Sequence, residues 1–288
     1  MKVAYLFDSG SSFNIDNKPN CFVIPMSIIV KNNENEKIYL DNVDINRKQL
    51  CEIIDSNSTI LTSQPNIGQI ITTIEKLLSE YELIIAIPFS KYLSSTYNTI
   101  LNLQSEYGAN KFLVADINAM GITGNWFMNY IDDYLKSHKT IDQTTLNKIT
   151  ENIKNNQCGG VIISDTKRLL IGGRLKSFKN LVIKTLKLKL IIKFKGDLEF
   201  SDKSISLKDS VDKLLKIIND NCEFKKYGIK NCSIMADLNN HKINNELLEY
   251  AINKLSDNKI ENSLLPGCVI CHTGTDTFSI LIESNRPN

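Results

Sequence analysis

The residues best suited to chemistry lie near the end of the printed sequence, in the stretch GCVICHTGTDTF at 267–278. His272, one of three histidines, follows an apolar run there, and three threonines follow it at alternate positions: Thr273, Thr275 and Thr277. An imidazole and a row of hydroxyls can donate hydrogen bonds to an anion. The apolar run predicts a strand that ends near the histidine. Two alternatives stay open: an anion site at a strand end, or a loop whose hydroxyls satisfy its own backbone.

Two further segments place hydroxyl groups just before predicted helices in the first half of the chain. LTSQPN at 61–66 precedes a strongly amphipathic pattern, and FSKYLSSTYNT at 89–99 joins a predicted strand to a predicted helix. Their candidate donors are Thr62, Ser63, Ser90, Ser94, Ser95 and Thr96. The free N–H groups of a helix N-terminus attract an anion, and hydroxyls add donors. Ser and Thr also commonly cap helices, so ordinary capping, by Thr62 or Ser63 for example, is the alternative.

The signatures of several common enzyme classes are absent from the sequence. It contains no GxSxG, GxxxxGK[ST], GxGxxG or HExxH motif. The stretch GGR ends in Arg174, whose guanidinium can bind a carboxylate or phosphate with two donors. A solvated arginine in a surface turn is the alternative. Cys268 and Cys271 form a CxxC without a second pair or a histidine at metal spacing, so we expect neither a metal nor a cofactor.

Composition narrows the class of protein. The chain has 288 residues and is 42% hydrophobic, which is enough for a sizeable core in two packed lobes. Its net charge is +2 and no basic tract carries interleaved aromatics, so we expect no nucleic-acid partner. There is no run of 18 apolar residues, and the apolar run before Asp8 is too short for a signal peptide. Seven cysteines, mostly in apolar runs, indicate reduced thiols. We therefore expect a cytoplasmic protein with at most transient membrane contact.

Hydrophobic periodicity predicts an α/β protein with two domains. In the first half, short apolar runs alternate with helical stripes, which is typical of a parallel sheet covered by helices. The predicted elements there are strands at 3–7, 82–87 and 111–117, an extended segment at 21–30, and helices at 66–81, 96–107 and 124–138. The second half favours a mixed sheet. Its predicted elements are helices at 142–156, 208–221 and 243–256, strands at 158–164, 186–194 and 232–238, and two final strands, CVICHT and TFSILIE.

The boundary between the two domains falls near 145–160. We place an N-terminal parallel-sheet α/β domain at 1–150 and a C-terminal mixed-sheet α/β domain at 151–288. No low-complexity linker separates them, which predicts lobes that pack closely.

Six short motifs, in order along most of the chain, give it a resemblance to a known family. They are DSGSS at 8–12, VIPMSIIV followed by YLDN, TSQPN, LSSTYNT, LLIGGRLK and CHTGTDTFSI. In this order they resemble the DegV family, the bacterial fatty-acid-binding family. The chain departs from the family pattern at Asn66, Ser95, Thr275 and Asp276, and LKLKLIIKF lacks the family's proline. These differences bear on the shape of the pocket and on its chain-length preference.

The resemblance implies a DegV-like fold and a lipid carrier rather than an enzyme. Proteins of this family hold one long-chain fatty acid between two lobes, and a partner fatty-acid kinase phosphorylates its carboxyl group for phospholipid synthesis. Carried over by motif, Thr62 and Ser94 are the first-choice carboxylate contacts. The other implied ligand-binding residues are Ser63, Ser95, Thr96, Arg174, His272 and Thr273.

Two other functions compete with this interpretation. A serine hydrolase or acyltransferase would use Ser94 as nucleophile, His272 as base and Asp276 to orient the ring. Ser94 lacks the flanking glycines of a nucleophile elbow, and Asp276 lies only four residues from His272, a poor spacing for that role. A lipid-binding module without a kinase would share the ligand and differ in its partner.

Overall fold

The computed structural model describes residues 1–12, 14–15, 18–32, 35–56, 58–165, 168–169, 188–236, 245–255 and 259–287. Arg174 and the GGR stretch lie outside these residues, so their predicted role stays a prediction. The chain divides into two compact units, and neither is continuous in sequence. The first unit contains Met1–Arg47, Thr62–Ile153 and Pro266–Cys268, and the second contains Lys48–Leu61, Lys154–Leu265 and Val269–Asn288.

The described strands and helices alternate along much of the chain. The strands are β1 (Val3–Asp8), β2 (Cys21–Ile24), β3 (Ser27–Asn32), β4 (Asn35–Leu40), β5 (Thr59–Ser63), β6 (Leu83–Ile87), β7 (Phe112–Val114), β8 (Gln157–Ile163), β9 (Lys189–Phe194), β10 (Leu198–Ser204), β11 (Ile229–Met235), β12 (Ile260–Ser263) and β13 (Phe278–Ser284). The helices are α1 (Arg47–Asp55), α2 (Ile67–Glu80), α3 (Thr96–Tyr107), α4 (Thr123–His138), α5 (Gln143–Asn156), α6 (Leu207–Cys222), α7 (Phe224–Tyr227), α8 (Asn245–Lys254) and α9 (Gly267–Thr273).

The core of the first unit is a four-stranded parallel sheet. Its strand order is β2-β1-β6-β7. Successive residues of β1 and β6 point to opposite faces, and both faces are apolar. Tyr5 and Ile85 belong to the hydrophobic cluster on one face, and Leu6 and Ile84 belong to the cluster on the other. Burial on both faces explains why these strands read as continuous apolar runs. The predicted parallel α/β architecture of the N-terminal half is therefore confirmed.

The second unit is built on a six-stranded mixed sheet. Its strand order is β10-β9-β8-β13-β11-β12, in which β11 and β12 pair in parallel and the other neighbours pair antiparallel. Helices α6 and α8 cover one face through residues such as Leu214, Ile218 and Leu247, which pack with Ile280 of β13. The predicted mixed sheet of the C-terminal half is confirmed.

A third, smaller sheet has the order β4-β3-β5. The sequence predicted one extended segment over 21–30, but Pro25 and Met26 separate β2 from β3 and the two strands enter different sheets. A proline has no N–H for a strand ladder, so such a break is expected beside it. Strands β4 and β5 were not predicted, because β4 is mostly exposed and β5 has only five residues, so neither gives a clear apolar alternation.

The prediction of a strand at CVICHT is wrong, because these residues form helix α9. Pro266 lies directly before the helix, and Gly274 ends it with a φ of 88°. The N–H of Gly274 donates to the carbonyl of Ile270 at 2.8 Å, which is the usual end of a helix at glycine. His272 consequently lies in the last turn of a short helix and not at the end of a strand. A short buried apolar run has no distinguishing period, which explains the error.

None of the helices within the described ranges is both long enough and apolar enough to span a bilayer.

Candidate functional site

The strand order of the parallel sheet has a topological switch point between β1 and β6. The connection after β1 leads to β2 on one side, whereas the connection after β6 leads through α3 to β7 on the other side. Ligands in open α/β sheets bind where neighbouring connections diverge in this way, at the carboxyl ends of the strands. The two segments at this point are the turn Asp8–Ser11, here called the β1 turn, and the segment 88–95, here called the β6–α3 loop. The second contains two of the predicted carboxylate contacts, Ser94 and Ser95.

Ser94 and Thr96 form a hydroxyl pair at the start of α3. Their oxygens are 2.8 Å apart, and the N–H of Thr96 donates to Ser94 Oγ at 3.3 Å. One shared hydrogen bond uses one proton, so the pair has a second hydroxyl proton to donate to an anion. Thr96 is fully buried and Ser94 is half-buried, which makes Ser94 the member able to reach a ligand. Ser95 is exposed, stands at the N-cap position and makes no side-chain capping bond.

Thr62 and Ser63 are not the caps of α2. They lie at the end of β5, and Asn66 caps the helix instead. Its Oδ1 accepts from the N–H groups of Gly68 at 2.9 Å and Gln69 at 3.3 Å. The capping role allowed for Thr62 and Ser63 by the sequence is therefore filled by another residue. Asn66 also occupies a position where the chain departs from the DegV pattern, and asparagine caps a helix as well as serine does.

A side-chain hydrogen bond joins the two hydroxyl-rich segments. Thr99 Oγ1, one turn into α3, donates to Gln64 Oε1 at 2.9 Å. Gln64 directly follows Ser63, and Thr99 follows Thr96 by three residues. The structure therefore brings the TSQPN and LSSTYNT motifs together within the first unit.

The β6–α3 loop is also attached to the connection that follows β7. Lys91 Nζ lies 2.7 Å from a carboxylate oxygen of Asp116, and this carboxylate raises the pKa of Lys91. The N–H of Ser90 donates to the carbonyl of Ala119 at 2.9 Å. The ammonium group of Lys91 also lies 5.7 Å from the ring centre of Tyr97. These contacts fix the loop on the side away from β1.

The β1 turn holds a buried carboxylate that the sequence analysis did not single out as a site residue. Asp8 is 1% exposed. Its Oδ1 accepts from the N–H of Gly10 and its Oδ2 from the N–H of Phe89, both at 2.9 Å. Burial raises its pKa to about 6, against the opposing effect of these hydrogen bonds. The DSGSS motif marks this turn in the sequence, but it does not reveal the hydrogen bond from the N–H of Phe89 to the Asp8 carboxylate.

The three threonines around His272 direct their hydroxyl protons to the protein. Thr273 donates to the carbonyl of Val269 at 3.1 Å, and Thr277 donates to the carbonyls of Thr273 and Gly274 at 3.0 and 2.8 Å. Thr275 donates to Asp55 Oδ1 at 2.9 Å. A hydroxyl has one proton, so in this arrangement these groups satisfy local acceptors. For Thr273 and Thr277 this is the second of the two alternatives that the sequence left open, hydroxyls that satisfy the backbone of their own loop, whereas Thr275 binds a side chain of α1.

Arg168 and Asp165 support the turn after α9 within the second unit. Arg168 Nε lies 3.3 Å from Asp165 Oδ2, and its Nη2 donates to the carbonyl of Ile54 near the end of α1. A Cβ on Gly274 would lie 3.2 Å from Asp165 Cβ, so the turn packs closely on this pair. His272, directly beside this turn, is 9% exposed.

The described residues contain no cluster of three or more His, Cys, Asp and Glu side chains that could hold a metal ion. All seven cysteines are in the reduced thiol state, and burial raises the pKa of Cys158 and Cys232 to about 12. Such thiols pack as small apolar groups. Ser94, the nucleophile of the hydrolase alternative, forms a hydrogen bond with the hydroxyl of Thr96.

Comparison with known proteins decides the family. A family model described as "Uncharacterised protein, DegV family" matches residues 2–285. The chain belongs to the DegV family. A DegV domain-containing protein of Ureaplasma parvum is 31% identical over 212 residues, which cover 73% of this chain and 97% of that protein. The resemblance inferred from the six motifs is confirmed.

Two solved structures share the DegV fold. The crystal structure of DegV, a fatty acid binding protein from Bacillus subtilis, superposes with a TM-score of 0.81 at 18% identity and covers 99% of this chain and 100% of that one. A stearic acid-binding protein from Eubacterium ventriosum gives a TM-score of 0.82 at 15% identity, with 98% of each chain covered. At these identities the likeness establishes the fold.

Proposed function

We propose that this DegV protein binds one long-chain fatty acid and that the hydroxyls of Thr62 and Ser94 hold its carboxyl group. Ser63, Ser95 and Thr96 are the neighbouring donors. The observation that carries the proposal is the hydrogen bond between Gln64 and Thr99, which joins the two hydroxyl-rich segments at 2.9 Å. The fatty acids named for the relatives from Bacillus subtilis and Eubacterium ventriosum support the same ligand class.

The chemistry of the segments suits a carboxylate. An anion removed from water needs several hydrogen-bond donors, and the Ser94–Thr96 pair has a proton to donate. Burying a chain of about 16 carbons at roughly 0.8 kcal/mol per methylene yields a gross gain on the order of 10 kcal/mol. Affinity would therefore come mainly from the tail, and the hydroxyls would orient the head group.

We propose three further residues as contacts of the fatty acid head group, because they belong to motifs that resemble those of the family. His272 would donate a hydrogen bond through its imidazole, and Arg174 would contribute a guanidinium to the head group or to a partner. Thr273 ranks below them, because its hydroxyl proton already goes to Val269.

We also propose that the bound carboxylate is the substrate of a separate fatty-acid kinase. The sequence has no phosphate loop of its own, so the phosphoryl group must come from a partner that binds ATP. The carboxylate oxygen attacks the γ-phosphorus of ATP, and acyl phosphate and ADP form. The seven reduced thiols suit a reducing compartment, the cytoplasm.

Mass spectrometry of lipid extracted from the purified protein tests the ligand. We expect about one fatty acid per chain, and uptake of added palmitate or oleate after the lipid is removed. Hexadecanol, which has the tail without the carboxylate, is the matched control ligand. Extraction without a stoichiometric fatty acid, together with no uptake of palmitate or oleate, contradicts the proposal. If the protein contains a bound fatty acid that no fatty-acid kinase phosphorylates, the result would favour a lipid-binding module with another role.

A further inference from the structure

The β1 turn makes a contact that the proposed function does not yet use. The Asp8 carboxylate accepts from two backbone N–H groups at once, Gly10 in its own turn and Phe89 at the start of the β6–α3 loop. Ser11 closes the turn, since its N–H donates to the carbonyl of Asp8 at 3.1 Å. The backbone five residues before Ser94 is thereby tied to the end of β1.

Asp8 is a costly residue for this task. It is almost completely buried, and within the described part of the chain no Lys, Arg or His forms an ion pair with it. A buried carboxylate without a cation lowers the free energy of unfolding. The amide of asparagine would avoid that cost, but Gly10 and Phe89 donate to different oxygens of the carboxylate. An asparagine would have to place its NH2 group, which accepts no hydrogen bond, against one of these N–H groups. The geometry therefore accounts for a carboxylate here.

The next residue of the same turn reaches a second element. Ser9 Oγ donates to Asp41 Oδ2 at 2.8 Å and accepts from the N–H of Met26 at 3.1 Å. Asp41 is also buried, and a Cβ added to Gly267 would lie only 2.5 Å from Asp41 Oδ1. The Asp41 carboxylate thus packs against the first residue of α9, the helix that ends in His272 and Thr273. A negative charge at that end of the helix is favourable.

We propose that the β1 turn positions the carboxylate-binding groups in two ways. Asp8 fixes the β6–α3 loop, which bears Ser94. Ser9 fixes the start of α9 through its hydrogen bond to Asp41. Asp8 and Ser9 are positioning residues that need not touch the ligand. This inference rests on the proposed function, because the experiment measures how strongly the protein prefers a fatty acid to a ligand without the carboxylate. The β1 turn would then determine how well the site distinguishes a carboxylate from a neutral group on the same tail.

The test compares two ligands that share a tail. Palmitate and hexadecanol are titrated into lipid-free protein at about pH 7.5, where Asp8, with its pKa of about 6, is ionised. Asp8→Asn leaves one of the two N–H groups without an acceptor. We expect it to reduce the preference for palmitate over hexadecanol by roughly tenfold or more, the size of a lost charge-assisted hydrogen bond, with nearly unchanged binding of hexadecanol. Ser9→Ala is a second variant and should lower the same ratio.

Tyr5→Phe is the matched control. Tyr5 is also buried in β1, and its hydroxyl donates to Asp132 at 2.5 Å, on the face that packs against α4. This variant loses a buried hydrogen bond from the same strand and should keep the wild-type preference. If Asp8→Asn and Ser9→Ala weaken both ligands equally, or keep the wild-type ratio, the positioning role is overturned while the fatty-acid function stands. If wild-type protein shows no preference for palmitate, the proposed carboxylate site itself fails.

Discussion

Thr99 donates a hydrogen bond to Gln64 across the two motif segments of the first unit, at a distance of 2.9 Å. Neither side chain belongs to a predicted site position, yet the bond sets the spacing between the end of β5 and the start of α3. Both groups are partly buried, so the bond is shielded from water and its loss is not fully replaced by solvent. The candidate site therefore depends on other residues of the two motifs as well as on the hydroxyls predicted to contact the ligand.

The first prediction concerns this bond. Thr99→Val keeps the shape of the side chain and removes the donor, so it should lower the free energy of unfolding by about 1 kcal/mol and weaken palmitate binding. Thr73→Val in α2 is the control, because the Thr73 hydroxyl donates within its own helix, to Gln69. Urea unfolding and palmitate titration measure the two effects. Identical palmitate affinity in the two variants would show that the bond does not support the site.

The second prediction separates ligand contacts from helix caps. Thr62→Ala and Ser94→Ala each remove a hydroxyl donor, and each should cost roughly 1.5–3 kcal/mol in palmitate affinity if the partner is a buried carboxylate. Asn66→Ala is the control. It removes the cap of α2 and should lower stability by about 1 kcal/mol with palmitate binding retained. The reverse pattern, in which Thr62→Ala and Ser94→Ala reduce only thermal stability, would make these hydroxyls structural.

The sequence predicts most of the fold because the elements that form it are buried. Strands β1 and β6 are buried on both faces, and α2 buries Ile70, Ile74 and Leu77 along one stripe. Hydrophobic periodicity reports such burial directly. Strand β4 is not predicted because it is mostly exposed and is stabilised by its antiparallel pairing with β3.

The candidate site is harder to predict, because its parts come from distant segments. The motif hydroxyls can be named from the sequence, whereas the contact between Asp8 and Phe89 spans 81 positions. Local propensity does not report such contacts. The helical state of α9 is missed for a related reason, since its short apolar run fits a buried strand as well as a buried helix.

The third prediction follows from the pKa of Asp8. Burial raises this pKa from the ordinary aspartate value of 3.8 to about 6 in the folded chain. Between these values the folded state therefore binds more protons than the unfolded state. The contribution of Asp8 to stability therefore falls as the pH rises through this window and stays low above it.

A comparison with Asp8→Asn isolates this effect. The unfolding free energy of wild type relative to Asp8→Asn should fall by about 2 kcal/mol between about pH 4.5 and pH 7.5. Urea unfolding at the two pH values measures it. A difference that is independent of pH would mean that Asp8 titrates normally in the folded protein.

The fourth prediction concerns the start of α9. Gly267→Ala would place a Cβ 2.5 Å from Asp41 Oδ1, so one of the two must move. Alanine normally favours a helix over glycine, but here overpacking should lower stability by about 1–3 kcal/mol. Asp41→Ala removes the obstructing group, and the cost of Gly267→Ala should largely disappear in the double variant. Additive effects in this double-mutant cycle would argue against a direct clash.

The fifth prediction tests His272 through the kinase reaction. In the proposed site the tail supplies most of the lipid affinity, so His272→Ala should keep most palmitate binding. It should lower the rate of acyl-phosphate formation by a partner fatty-acid kinase with Mg²⁺ and ATP. The physical reason is that an imidazole near a carboxylate orients it by donating a hydrogen bond. The isolated protein should hydrolyse neither ATP nor nitrophenyl esters, because its sequence lacks a phosphate loop and a nucleophile elbow.

The control for this assay is His138→Ala. His138 is exposed and stacks on Tyr134 at a ring-centre distance of 4.0 Å, so its removal should not alter phosphate transfer. Wild type and both variants are loaded equally with palmitate before the kinase is added, so that a difference in rate reports head-group orientation and not occupancy. Equal rates for wild type and His272→Ala would make His272 a structural residue of α9. Ester hydrolysis by the isolated wild type that disappears in Ser94→Ala would instead assign the site to a hydrolase.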